Sequence, residues 1–320
     1  MTTTPKISVI VPAYNTAGLI AAALDSVLQQ TFQDFEVIVV NDGSPDTPEL
    51  EKVLAPYQER IIYIRQPNKR AAGARNTAIR QAQGEFLAFL DSDDLWLPDH
   101  LSSQMQLFAE DPTLGLVYSN CFTFADPTLN LTFMDRCPSQ GAATFDALLV
   151  ERCQIPVSTV VARKSAIVKA GLFDEGLARC DDYDMWLRTA FHGAKIGYSR
   201  RVQARLNDGR PGSLGNSDVR MVEAYWIILE KAKRTLPMSD ADREIVVARA
   251  AEIRARYLVE EGKICLRDGQ FEKARDMFTQ ANAAVPKAKI SLVLFGLKIA
   301  PAATRSLANL VRRVPAKRSV

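Results

Sequence analysis

Residues 86–94 read Phe86-Leu87-Ala88-Phe89-Leu90-Asp91-Ser92-Asp93-Asp94, so five apolar residues run straight into three carboxylates. A short run that is apolar on both faces reads as a strand of a sheet covered on both sides, because neither face of it tolerates water. The acidic triplet then falls on the turn that follows. Asp and Ser are ordinary turn residues, but unpaired acids packed this closely repel one another unless a cation or ligand joins them, so a turn preference explains the cluster less well than a site does.

Outward from this stretch, strand-like runs at 7–11, 36–41 and 61–65 precede it, and helical patterns fall between them at 18–30, 47–57 and 71–81. The alternation predicts right-handed βαβ units, hence an α/β fold with a Rossmann-like, mostly parallel sheet flanked by helices. Ligands of such sheets gather at the carboxyl ends of the strands. Those ends carry Pro12-Ala13-Tyr14-Asn15 after the first strand and Asn41-Asp42-Gly43-Ser44 after the second. Further on, strands are expected at 116–119 and 157–162 and a short helix at 145–150. A second acidic cluster, Asp181-Asp182-Tyr183-Asp184, opens a helix through Arg188, where Asp181 or Asp184 also suits a simple cap.

The last third of the chain is helical in pattern. Gly262, Cys265, Gly269, Phe271, Ala274, Phe278, Ala281 and Pro286 have the spacing of one tetratricopeptide-like hairpin at about 255–286. One repeat cannot bury its own face, so the hairpin is expected to dock against the catalytic domain or a partner surface. This divides the chain into residues 1–216 and a helical region, 217–320.

Charge is unevenly spread. The net +3 is too small to imply a nucleic-acid partner, but eight of the 40 basic residues lie from Lys287 onward with no acid among them, leaving 32 against 37 in the rest. Residues 287–320 mix these charges with Ile290, Leu292, Phe295, Leu297, Ile299, Leu307 and Leu310. That composition fits either peripheral contact with an anionic membrane surface or a helix packed on the hairpin. No run of about twenty apolar residues spans a bilayer. The five cysteines form no CxxC pair and suit a reduced, cytoplasmic setting.

An acidic triplet on a tight turn offers hard oxygen ligands to Mg²⁺ or Mn²⁺, ions that share their remaining positions with water and a substrate diphosphate. Asp42 is suited to accept a hydrogen bond from a base N–H, and Tyr14 to lie along the base face. Arg75, in Gly73-Ala74-Arg75-Asn76, has a donor fork that matches phosphate oxygens, although an isolated Arg on a helix is equally read as solvated.

Taken in order, the segments 7–15, Val40-Asn41-Asp42-Gly43-Ser44, Gly73-Ala74-Arg75-Asn76, Phe89 to Asp94 and Asp182 to Arg188 resemble the motifs of family 2 glycosyltransferases over roughly residues 5–216. The resemblance implies a GT-A fold and inverting, metal-dependent transfer from a nucleotide-diphosphate sugar, a UDP-sugar being favoured, to a carbohydrate or glycolipid hydroxyl in cell-surface polysaccharide or glycolipid assembly. It also implies that Pro12, Ala13, Tyr14 and Asp42 surround the nucleoside and that Arg75 approaches the diphosphate or sugar. Asp91 and Asp93 bracket the donor in a DxD motif, with Asp93 first and Asp94 next as metal ligand. Asp182 matches the general base. Asp181 stands where the family usually has Glu, and Arg210 near a position where many members carry His, so Arg210 is assigned to the diphosphate rather than to the metal. The Gln-x-x-Arg-Trp motif of processive synthases is missing, which implies few transfers per encounter. The chain lacks the Gly-rich loop of sugar nucleotidyltransferases, and a glycoside hydrolase has no use for a diphosphate-binding metal. The rival from another class is an inactive sugar-nucleotide-binding module that acts as a scaffold through its helices.

Overall fold

The computed structural model describes residues 4–123, 131–207 and 219–304; Arg210 and residues 305–320 lie outside the described residues. The chain divides into two compact units, Met1–Gly215 and Asn216–Val320.

The first unit opens with strict alternation: β1 (Ile7–Ala13), α1 (Ile20–Leu28), β2 (Phe35–Asp42), α2 (Thr47–Leu54), β3 (Ile62–Gln66), α3 (Arg70–Gln81) and β4 (Phe86–Phe89). β1 pairs parallel with β2 on one side and β4 on the other, and β2 pairs parallel with β3. Val9, Ile10, Val11, Ile38, Val39 and Val40 are all buried, as strands with helices on both faces require. α1 buries Ile20, Ala23, Leu24 and Val27, an i, i+3, i+4, i+7 stripe that packs on β1 and β2. Removing the Ile20, Leu24 and Val27 side chains from water contributes about 1.5–3 kcal/mol each.

The unit continues through β5 (Leu95–Trp96), α4 (His100–Glu110), β6 (Leu114–Thr123), α5 (Phe133–Arg136), α6 (Phe145–Leu149), β7 (Val160–Arg163), α7 (Lys164–Lys169), α8 (Asp181–Phe191) and β8 (Lys195–Leu206). All eight strands form one sheet in the order β3-β2-β1-β4-β7-β6-β8-β5. β7 runs antiparallel to both β4 and β6, and β5 antiparallel to β8, while β6 and β8 are parallel. The parallel character thus belongs to β1–β4 and to the β6–β8 pair, and the sheet as a whole is mixed. β7 also starts later than the apolar run at 157–162 predicts, because residues 157–159 close a short 3-10 turn after Pro156.

The second unit holds α9 (Val219–Thr235), α10 (Asp240–Arg267), α11 (Phe271–Ala284) and α12 (Ala288–Ile299). α10 and α11 form a hairpin in which Gly262 faces Phe278; a Cβ there would stand 3.1 Å from the ring, so any larger residue would force the ring to give way by a few tenths of an ångström. α9 packs along α10, and α12 packs on α11 through Ile290 and Leu297. These neighbours supply the cover that one hairpin lacks.

Candidate active site

Strand order reverses on either side of β1, the point at which open α/β sheets bind ligands. β1, β2 and β4 run the same way, so Tyr14, Asp42 and Asp91 emerge at one edge of the sheet. Pro12 is partly buried, Ala13 is buried, and Tyr14 is 51% exposed. The turns after β1 and β2 are tied together: the Asn15 N–H donates to Ser44 Oγ at 2.6 Å, and the Ala17 N–H to Asp46 Oδ2 at 2.8 Å. Gly43 sits at φ +65°, and a Cβ there would lie 2.7 Å from the Asn68 backbone nitrogen. Glycine is therefore required on two counts.

Asp42 is buried, and its Oδ1 accepts from Gln66 Nε2 at 2.6 Å and from the Lys69 N–H at 2.8 Å. Thr77 Oγ1 in turn donates to Gln66 Oε1 at 2.6 Å. This relay holds the Gln66 amide with its NH₂ toward Asp42 and fixes the carboxylate's direction. Neither Gln66 nor Thr77 stands out in the sequence, since a polar residue at a strand end and a Thr on a helix are ordinary.

The acidic turn is clamped from β7's approach. The Asp91 N–H donates to Ser158 Oγ at 3.0 Å, and the Ser158 hydroxyl donates to Asp94 Oδ2 at 2.5 Å. The Asn207 N–H donates to Asp94 Oδ1 at 2.8 Å. Asp94 is thus turned inward, with one oxygen accepting from Ser158 and the other from the Asn207 N–H. Burial, then the charges of Asp91 and Asp93, push its carboxyl well above the usual range. Asp91 and Asp93 keep partial exposure. Ser158 gives no advance signal, because a lone Ser at the head of an expected strand is ordinary.

Arg75 is buried between two carboxylates. Its side chain is 5% exposed; Nη2 donates to Asp91 Oδ1 and Nη1 to Asp181 Oδ2, both at 2.6 Å, and the guanidinium lies over the Phe173 ring. Burial opposes its charge, but Asp91, Asp181 and Asp182 more than offset that and raise its pKa. The next residue anchors the approach to α8: Asn76 donates to the Phe173 carbonyl at 2.8 Å and accepts from the Phe173 N–H at 2.9 Å. Cys180 adopts a left-handed φ of 57° just before α8. Asp182 then lies in the first turn, partly buried, with Oδ1 accepting from the Tyr183 N–H at 2.8 Å. Burial first, and the neighbouring Asp181 second, push its carboxyl up to about 7, against the lowering effect of Arg75 and that N–H. Asp184 is taken up by Arg188 at 2.6 Å, one turn on. The sequence-predicted acids at the β4 end and the α8 start thus meet through one cation.

Among the described residues, no three His, Cys, Asp or Glu side chains converge as a cage for a metal ion. Asp93 and its neighbouring acids, Asp91 and Asp94, are the side chains here that could contribute one or two carboxylates to an ion that takes its other ligands from phosphates and water.

Residues 8–140 match the family model for glycosyl transferase family 2. Over 182 residues the chain is 33% identical to UDP-Glc:alpha-D-GlcNAc-diphosphoundecaprenol beta-1,3-glucosyltransferase WfgD of Escherichia coli, covering 57% of this chain and 68% of that relative. The chain belongs to glycosyl transferase family 2. This family 2 member is accordingly a glycosyltransferase enzyme. Three longer Rickettsia relatives are matched over only 29–33% of their length. Among solved structures, S. aureus TarS 1-349 in complex with UDP-GlcNAc superposes with a TM-score of 0.65 at 18% identity, covering 96% of this chain and 92% of that one. The mannosyltransferase PcManGT from Pyrobaculum calidifontis, in complex with GDP-Man and Mn²⁺, gives 0.62 at 22% identity, covering 97% and 84%. At these identities the structural likeness speaks for the fold.

Proposed function

We propose that the protein transfers a single sugar, with inversion, from a nucleotide-diphosphate sugar to an acceptor hydroxyl on a lipid-linked saccharide, in cell-surface polysaccharide or glycolipid assembly. The observation that carries this reading is the Arg75 bridge, which joins the acids at the end of β4 to the acids at the start of α8. A donor side and an acceptor side are thereby held as one unit. On the donor side Tyr14 lies along the base, and Asp42, aimed by Gln66 and Lys69, accepts from a base N–H.

Asp93, with Asp91 alongside, would hold a Mg²⁺ or Mn²⁺ ion, whose chemistry when bound is to neutralise charge on the departing diphosphate. On the acceptor side Asp182 takes the proton of the attacking hydroxyl. As the new bond forms at the sugar carbon, the bond to the diphosphate breaks and its electron pair leaves with the nucleotide. A base with a pKa near the working pH combines a useful ionised fraction with proton affinity, and Asp182 meets that condition. The names of the relatives support the finer choices: WfgD's name gives a UDP-glucose donor and a diphosphoundecaprenol-linked acceptor, and TarS holds UDP-GlcNAc.

Among the described residues no helix is long and apolar enough to cross a membrane, and this reading puts the enzyme in the cytoplasm, working on acceptors anchored in the membrane's inner face. The test is release of nucleotide diphosphate from a panel of UDP- and GDP-sugars, with Mn²⁺ and polyprenyl-diphosphate saccharides present. Binding of UDP with no release from any donor would favour the inactive, scaffold-like module instead.

A further inference from the structure

α12 carries an apolar face that no described residue of its own unit covers. Ile290 and Leu297 point inward and are 7% and 4% exposed, whereas Leu292, Phe295 and Ile299 are 71%, 62% and 65% exposed. Those three stand at i, i+3 and i+7, so they form one stripe along the helix. Lys289 and Lys298 are both exposed, and helical geometry sets them on opposite flanks of the stripe, each about a quarter turn away. A surface helix of a soluble protein ordinarily shows the reverse pattern, with polar residues where this one has Leu, Phe and Ile.

Charge decides what fits this face. After Asp276 the sequence contains eight basic residues and no acidic one. A second copy of the chain meeting it about a two-fold axis would bring like charge against like charge. A sheet of anionic headgroups over an apolar interior matches both features at once: the stripe enters the acyl boundary and the flanking lysines meet the phosphates. We infer that α12 lies on an anionic lipid bilayer, inserting Leu292, Phe295 and Ile299 between headgroups held by Lys289 and Lys298.

The inference stands apart from sugar transfer, because it is measured without donor or acceptor. The full chain is sedimented with vesicles of phosphatidylcholine alone and of equimolar phosphatidylcholine and phosphatidylglycerol. Binding is expected only to the anionic vesicles, weakening with salt. A variant with Leu292→Ser, Phe295→Ser and Ile299→Ser is expected to lose about tenfold or more in partitioning, since burying apolar area supplies part of interfacial binding. The Lys289→Glu, Lys298→Glu variant is expected to weaken binding and flatten its salt dependence. All five side chains are exposed, and melting curves that match the parent confirm that the variants fold. Equal binding to both vesicle types, or none to either, overturns the inference. So does a serine variant that binds as well as the parent, which would leave the basic tail as the whole determinant, and so does a lipid-free dimer that the serine variant abolishes.

Discussion

Replacing Asp182 with Asn keeps the side chain's size while removing its basicity, and the protein's own electrostatics set the size of the effect. Asp182 titrates at about 7 in the folded chain against an ordinary 3.8. A base with that pKa is about half ionised at pH 7, about nine-tenths at pH 8 and about one per cent at pH 5. For the parent, kcat/KM should therefore climb about tenfold between pH 5 and pH 6 and level off above pH 8. Asp182→Asn should lose about 10²- to 10⁴-fold in turnover, and the residual rate should no longer follow pH in that window. Nucleotide-sugar binding should stay near the parent's. Stability provides an independent check with a definite sign. The folded pKa lies above the unfolded one, so the folded state holds a proton that the unfolded state releases; this contribution is full below 3.8 and is lost as pH rises through about 7. Asn does not ionise, so the variant should melt increasingly above the parent between pH 4 and pH 8, by a difference on the order of a few kcal/mol at most. Continuous assay of nucleotide diphosphate release and scanning fluorimetry across pH measure both. Near-parental turnover in Asp182→Asn, or a parental rate flat from pH 5 to pH 8, would refute the assignment of the base.

Arg75→Met should leave Asp91 and Asp181 uncompensated and cost about 3–5 kcal/mol in urea unfolding, with Arg75→Lys recovering part of it. An Arg that only touched substrate would show no such loss. Asp42→Ala should weaken UDP binding about tenfold by calorimetry through one lost charge-assisted hydrogen bond, and Gln66→Leu should weaken it less, because it removes only one of two donors that aim the carboxylate. Asp93→Ala should abolish the Mn²⁺-dependent part of UDP binding, so that the parent with chelator and the variant with Mn²⁺ give the same affinity.

The β1–β4 half of the sheet is legible from sequence because each strand is a run of buried apolar residues followed by turn chemistry, and each helix shows a clear stripe. β8 is not. Its sequence, with Arg200 and Arg201 in the middle, alternates poorly because the β6–β8 register shifts at three places, and every bulge moves side chains to the other face. α4 is hidden for another reason: Ser102, Ser103, Gln104 and Gln106 dilute its apolar stripe, and Gln104 is buried by donating to the Thr159 carbonyl rather than by being apolar. In the site, Asp42, Asp91, Asp93 and Asp182 can be picked out as acids at strand or helix ends. The direction each one faces cannot. Asp94 and Asp93 are neighbours of the same type, and only Ser158 and Asn207, more than sixty and more than a hundred residues away, distinguish them. Nor does the sequence show that Arg75 pairs with two carboxylates, which lie 16 and 106 positions along the chain.

The Arg75 bridge also marks a seam along which the first unit could be recombined. Everything up to Trp96 carries Asp42, Arg75 and the β4 turn, whereas Asp181 and Asp182 arrive on α8 from the other side of β7. A chimera that keeps the leading segment and takes its α8 from another family member therefore inherits a buried guanidinium whose second carboxylate must come from the donor gene. An acid at the position of Asp181 would then decide whether such a hybrid folds, whatever acceptor the grafted half prefers.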